Sequence, residues 1–121
     1  MSFWRKTVIQ PALDSEEEAA IREQQRLLEL DSLNPKPHFA LGTMAHFRGR
    51  TDEAIQYFLK AIDLDPSYAA PHASLGRIFA VQGELTLAWK HAREAERLGD
   101  KSLVEQLERY PAATKPLDQK G

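Results

Sequence analysis

The chain has 121 residues, 42% of them hydrophobic, no cysteine and a formal net charge of −2. The lack of cysteine excludes disulfides, thiolate metal sites and cysteine nucleophiles, and the slightly acidic balance offers no concentrated positive face for nucleic acid or an anionic membrane. No apolar run is long enough for a signal peptide or a membrane span, so a cytoplasmic protein is the default expectation.

Residues 1–13 contain Phe3, Trp4, Val8 and Ile9, but Pro11 interrupts a helix, and the expectation here is an extended N-terminal arm. Asp14 and Ser15 precede Glu16, Glu17 and Glu18, with Ser15 and Glu18 at capping-box spacing. The spacing predicts a helix starting there and occupying most of 14–34. Its apolar stripe is Ala20, Ile21, Leu27, Leu28 and Leu30. The three glutamates read as a solvated helix start that suits the positive end of the dipole, in preference to an acidic recognition patch.

From Pro35 onward one 34-residue unit is written twice. Eight positions repeat unchanged: Pro37 and Pro71, His38 and His72, Leu41 and Leu75, Gly42 and Gly76, Gly49 and Gly83, Ala54 and Ala88, Ala61 and Ala95, Leu64 and Leu98. A fixed period of this length marks a solenoid of helix hairpins, each too small to bury its apolar face alone. The predicted helices are 35 to about 48, 51–64, a Ser67-capped helix to about Val81, and 85–98, with Gly49 and Gly83 breaking each hairpin. One period earlier, Ala20, Ile21, Leu30 and Asp31 stand where Ala54, Ile55, Leu64 and Asp65 recur, which makes 14–34 the second half of a degenerate leading repeat. After Gly99 and Asp100 a shorter helix over 101–110, with Leu103, Val104 and Leu107 on one side, is expected to cap the stack. The tail 111–121 carries no periodic pattern and is expected to be flexible.

The pattern resembles the tetratricopeptide repeat family. Repeat one, 35–68, matches through Leu41, Gly42, Gly49, Ala54, Phe58, Ala61 and Pro66. Repeat two, 69–100, keeps Leu75, Gly76, Gly83, Ala88 and Ala95, but has Ala92 in the aromatic slot and Asp100 in the proline slot, departures that suit a terminal repeat leading into a cap. The resemblance implies an all-α, right-handed superhelical solenoid of about two and a half hairpins plus a C-terminal capping helix. It also implies a concave groove, formed by the first helix of each hairpin, in which a partner's peptide or helix lies. Position by position the groove candidates are Lys36, Phe39, Thr43, His46 and Phe47 from repeat one, and Ala70, Ala73, Arg77, Ala80 and Val81 from repeat two. Family members that clamp a C-terminal carboxylate use a Lys and two Asn where Phe39, Thr43 and Ser74 stand here, so that mode does not carry over.

His38 and His72 share a seam position, which favours a structural role over metal binding; His46 has a groove position, and His91 reads as an outer-face residue. Nothing resembles a catalytic triad, a phosphate loop or paired carboxylates, so neither enzyme activity nor any cofactor or metal is expected. The expected function is a protein-interaction adaptor, Phe39, Phe47 and Val81 burying a partner's apolar residues while Arg77 and Lys36 meet acidic groups. The alternative is a structural module that forms homo-oligomers or larger complexes through the solenoid ends. Trp4 stands one period before His38, with Thr7 and Val8 in place of the Leu-Gly pair. Phe3, Trp4, Val8 and Ile9 are expected to cover the end of the solenoid, in the same chain or across a two-fold dimer.

Overall fold

The computed structural model describes residues 2–109, with side chains from residue 16 onward. Within them the chain is all helix, without a strand: α1 (Ser2–Leu30), α2 (Pro35–Phe47), α3 (Thr51–Leu64), α4 (Ala69–Val81), α5 (Leu85–Arg97) and α6 (Ser102–Glu108). The order is two hairpins, α2–α3 and α4–α5, between a long leading helix and a short capping one.

Each hairpin turn is made the same way. Gly49 (φ 79°) and Gly83 (φ 81°) sit in the left-handed region that side chains disfavour. The amides around them then return to the helix they leave. Gly49 donates to the His46 carbonyl and Arg50 to that of Ala45, at 3.0 and 2.9 Å; Gly83 donates to Ala80 and Glu84 to Phe79, at 3.1 and 2.8 Å. This is the Schellman closure, which satisfies carbonyls that a helix end would otherwise leave bare. Gly99 (φ 108°) and Asp100 close α5 identically before α6.

Between hairpins the turn is made by aspartate. Asp31, Asp65 and Asp100 each accept the amide two residues on, from Leu33, Ser67 and Ser102. Asn34 caps α2 by accepting the Lys36 amide at 3.0 Å. Ser67, expected to cap α4, instead donates its hydroxyl to Asp65 at 2.7 Å, and Tyr68 stands at the N-cap without a side-chain bond. The aspartate two residues before it captures the serine first, a local competition common to short polar side chains.

The arm expected over residues 1–13 is a correction. Residues 2–13 are helical and continuous with the predicted 14–34 helix, and neither Pro11 nor the Ser15–Glu18 box divides them. Pro11 removes one backbone donor, a cost of about 3 kcal/mol in a helix interior. Strong helix formers lie beyond it at Ala12, Leu13 and residues 16–20, and the helix runs through the proline. The side chains of Phe3, Trp4, Val8 and Ile9, the end of the expected capping helix at Tyr110 and the tail 111–121 lie outside the described residues.

The core is shared between neighbours, as small hairpins require. Ala45, Ala54, Phe58, Leu75 and Ile78 bring α2, α3 and α4 together. Ala88, Trp89, Ala92, Leu103, Val104 and Leu107 do the same for α5 and α6, and Phe79 of α4 packs against both groups. Complete burial of a side chain the size of Phe58 stabilises by roughly 1.5–3 kcal/mol. At the other end α1 is tied to the end of α2 by an ion pair between Glu17 Oε2 and Arg48 Nε, 3.0 Å apart and partly in water. Among the described residues no helix is long and apolar enough to cross a membrane.

Candidate functional site

The first helices of the two hairpins, α2 and α4, carry the groove candidates, and burial sorts these into two kinds. Phe39 is half-buried in the seam, its ring 5.6 Å from that of Phe58 and 5.5 Å from that of Tyr68. Ala73 is buried, and Ala80 packs beside the core group of α5 and α6. Ala70 is half-buried, as is Thr43, whose hydroxyl donates to the Phe39 carbonyl one turn back at 3.1 Å. These residues set the spacing of the helices and leave little surface for a partner.

Lys36, His46, Phe47, Arg77 and Val81 are exposed. Phe47 and Val81 are one period apart, each the last residue of its helix, and each is almost bare, at 86% and 89%. The His46 ring stacks beside that of Phe47 at 6.5 Å, making a flat aromatic surface at the end of α2. Arg77 lies close enough to Asp100 to help hold that carboxyl below its usual range, an effect led by the hydrogen bonds from Ser102. A single exposed apolar residue means nothing; the same repeat position exposed twice is a pattern.

The histidines fall elsewhere. His72 is buried, 7% exposed, and its Nδ1 lies 3.2 Å from Nδ1 of His91, so one ring donates to the lone pair of the other. The sequence reading of His91 as an outer-face residue is corrected: it is half-buried, and stacks on Phe79 at 5.7 Å. Loss of water pushes the His91 imidazolium down to about 4, with help from His72 and Lys90 and some opposition from Glu94. Burial also lowers His72, against the effect of Glu94 and the Pro66 carbonyl. In repeat one, His38 fills the same position as His72, but Tyr57 stands where His91 would be, and the buried His38 Nδ1 has no partner. Among the described residues no three His, Asp or Glu converge to hold a metal ion. The signal for the His72–His91 pair was in the sequence, since His91 and Tyr57 are one period apart on second helices.

A family model described as TPR repeat matches residues 44–83, the end of α2 with all of α3 and α4. Over these residues the chain is similar to tetratricopeptide repeats. Among solved structures, the chain is similar to one titled "Crystal structure of MamA", at a TM-score of 0.62 and 24% identity, over 83% of this chain and 56% of that one. The likeness is one of fold, and the aligned part spans little more than half of the MamA chain. No curated protein matches the sequence.

Proposed function

We propose that the chain is a protein-interaction adaptor whose contact surface is the exposed row on α2 and α4. The observation that carries this reading is the near-complete exposure of Phe47 and Val81 at one repeated position, with Arg77 exposed one turn before Val81. Two apolar anchors spaced by the solenoid's own repeat suit a partner segment that lies across both hairpins, and the basic side chains Lys36 and Arg77 favour acidic groups on it. The inward candidates, buried Ala73 with half-buried Phe39 and Ala80, then act as the rigid floor that holds the anchors in place. The match to tetratricopeptide repeats, generally non-catalytic interaction modules, supports the same class of function.

The test places a photo-crosslinking residue at Thr43 or at Phe47, identifies the captured chains, and repeats the capture in the Arg77→Glu and Val81→Asp backgrounds. One captured chain, lost in both backgrounds while helicity and melting are kept, supports the reading. Capture indifferent to both substitutions contradicts it.

A further inference from the structure

The 34-residue register continues before Pro35. One period back, residues 2–13 fall over α2 and residues 17–30 over α3, so α1 carries the register of a whole hairpin in one continuous helix. The turn position shows why it is not folded back. Gly49 and Gly83 turn their hairpins with positive φ, and Ser15 stands one period before Gly49, where a side chain disfavours that conformation.

The face that closure would cover is open. Ala54, Phe58 and Ala61 on α3 are at most 1% exposed, and Ala88, Ala92 and Ala95 on α5 are fully buried. Their counterparts on α1 are Ala20, which is exposed, and Gln24 and Leu27, which are half-buried. A cavity of about 260 Å³ reaches Glu17, Ala20 and Ile21 from the α2 side.

Residues 2–13 suit this face by charge and by size. They contain Arg5 and Lys6 and no carboxylate, whereas residues 16–30 carry Glu16, Glu17, Glu18, Glu23 and Glu29 against Arg22 and Arg26. Where repeat one sets Gly42 against the bulk of Phe58, the register of the leading unit carries Val8 and Gln24, an aliphatic residue in place of the glycine and a smaller residue in place of the aromatic. A straight helix cannot apply its own first half to its second, because residues 8 and 24 lie roughly 24 Å apart along the axis. A second copy can, and two such contacts related by a two-fold axis close on each other.

We infer that two copies of the chain exchange residues 2–13, each segment taking the first-helix position against residues 17–30 of the other and completing its leading repeat. The cavity beside this face is also lined by Phe47, so the exchanged segment and a partner on α2 and α4 share an edge; mass and the 8-to-24 crosslink report on the exchange alone, and capture lost in the Arg77→Glu and Val81→Asp backgrounds reports on the adaptor reading alone. Light scattering on the 121-residue chain then gives twice its 13.7 kDa mass. In the V8C/Q24C variant, which has no other cysteine, oxidation gives a covalent dimer crosslinked from position 8 to position 24. Ser15→Gly supplies the turn residue: it shifts the mass to that of one chain and makes the same cysteine pair close within it. A wild type of monomeric mass overturns the inference, as does an 8-to-24 disulfide formed within one wild-type-hinged chain, any other pairing, or no disulfide. An S15G chain as dimeric as the wild type overturns it too.

Discussion

The two hairpins share a register but fill it differently. In the first, Phe58 occupies the space beside Gly42, and a Cβ added at that glycine would stand 2.7 Å from the ring. In the second, Ala92 replaces the aromatic and leaves a hole in its own hairpin. Leu103 of α6 enters it: a Cβ on Gly76 would run into Leu103 Cδ2 and would also stand 3.2 Å from the Ala88 carbonyl oxygen. The bulk that repeat one keeps within itself, repeat two takes from the capping helix. The difference explains why the last hairpin needs α6, and why a glycine, unable to clash, is retained at both places.

The largest effects should come from emptying the two equivalent spaces. Phe58→Ala should cost about 3–5 kcal/mol and Leu103→Ala about 2–5 kcal/mol in chemical denaturation, since both side chains are at most 1% exposed and their surroundings are well packed. The comparison would be sharpened if Leu103→Ala also raised the exchange rate of α6 amides while Phe58→Ala did not. An indifferent response to Leu103→Ala would mean that the cap is an appendage.

A smaller effect distinguishes the hairpins by pH. The His91 imidazolium is held at about 4, against 6.5 for the free group, because the folded state prefers the neutral ring. That preference stabilises fully above pH 6.5 and is lost as pH falls towards 4, where the unfolded chain binds the proton first. Since His91 keeps part of its surface in water, a discounted contribution of about 1–2 kcal/mol is expected. His72 and His38 are lowered too, and act in the same sense. His91→Tyr installs the residue that repeat one uses at this position. Its melting temperature should decline less between pH 7 and pH 4.5 than that of the wild type; parallel declines would show that the His72–His91 contact carries no such linkage.

The repeats were legible because their signals are positional: glycines with positive φ at the turns, alanines where helices approach, and aspartates at the connections. The helical state of residues 2–13 was not legible, since Pro11 and the Ser15–Glu18 spacing are local stop and start signals that the continuous helix overrides. Among the groove candidates, sequence could nominate faces but could not separate Phe39, drawn into the seam by Phe58 and Tyr68, from Phe47, left in water at the helix end. That distinction depends on neighbours from other helices. The substitution of Leu103 for a missing aromatic was hidden for the same reason, although Ala92 in the aromatic slot marked where to look.

The most direct measurement is the double-mutant cycle between positions 92 and 103. Ala92→Phe alone should overpack and cost about 1–3 kcal/mol, because Ala92 is fully buried beside Leu103. In a Leu103→Ala background the ring should enter the vacated space as Phe58 does in repeat one, so the two substitutions together should be at least about 1 kcal/mol less damaging than their sum. Costs that add to within about 0.5 kcal/mol would contradict the claim that the capping helix supplies the missing side chain of the second hairpin.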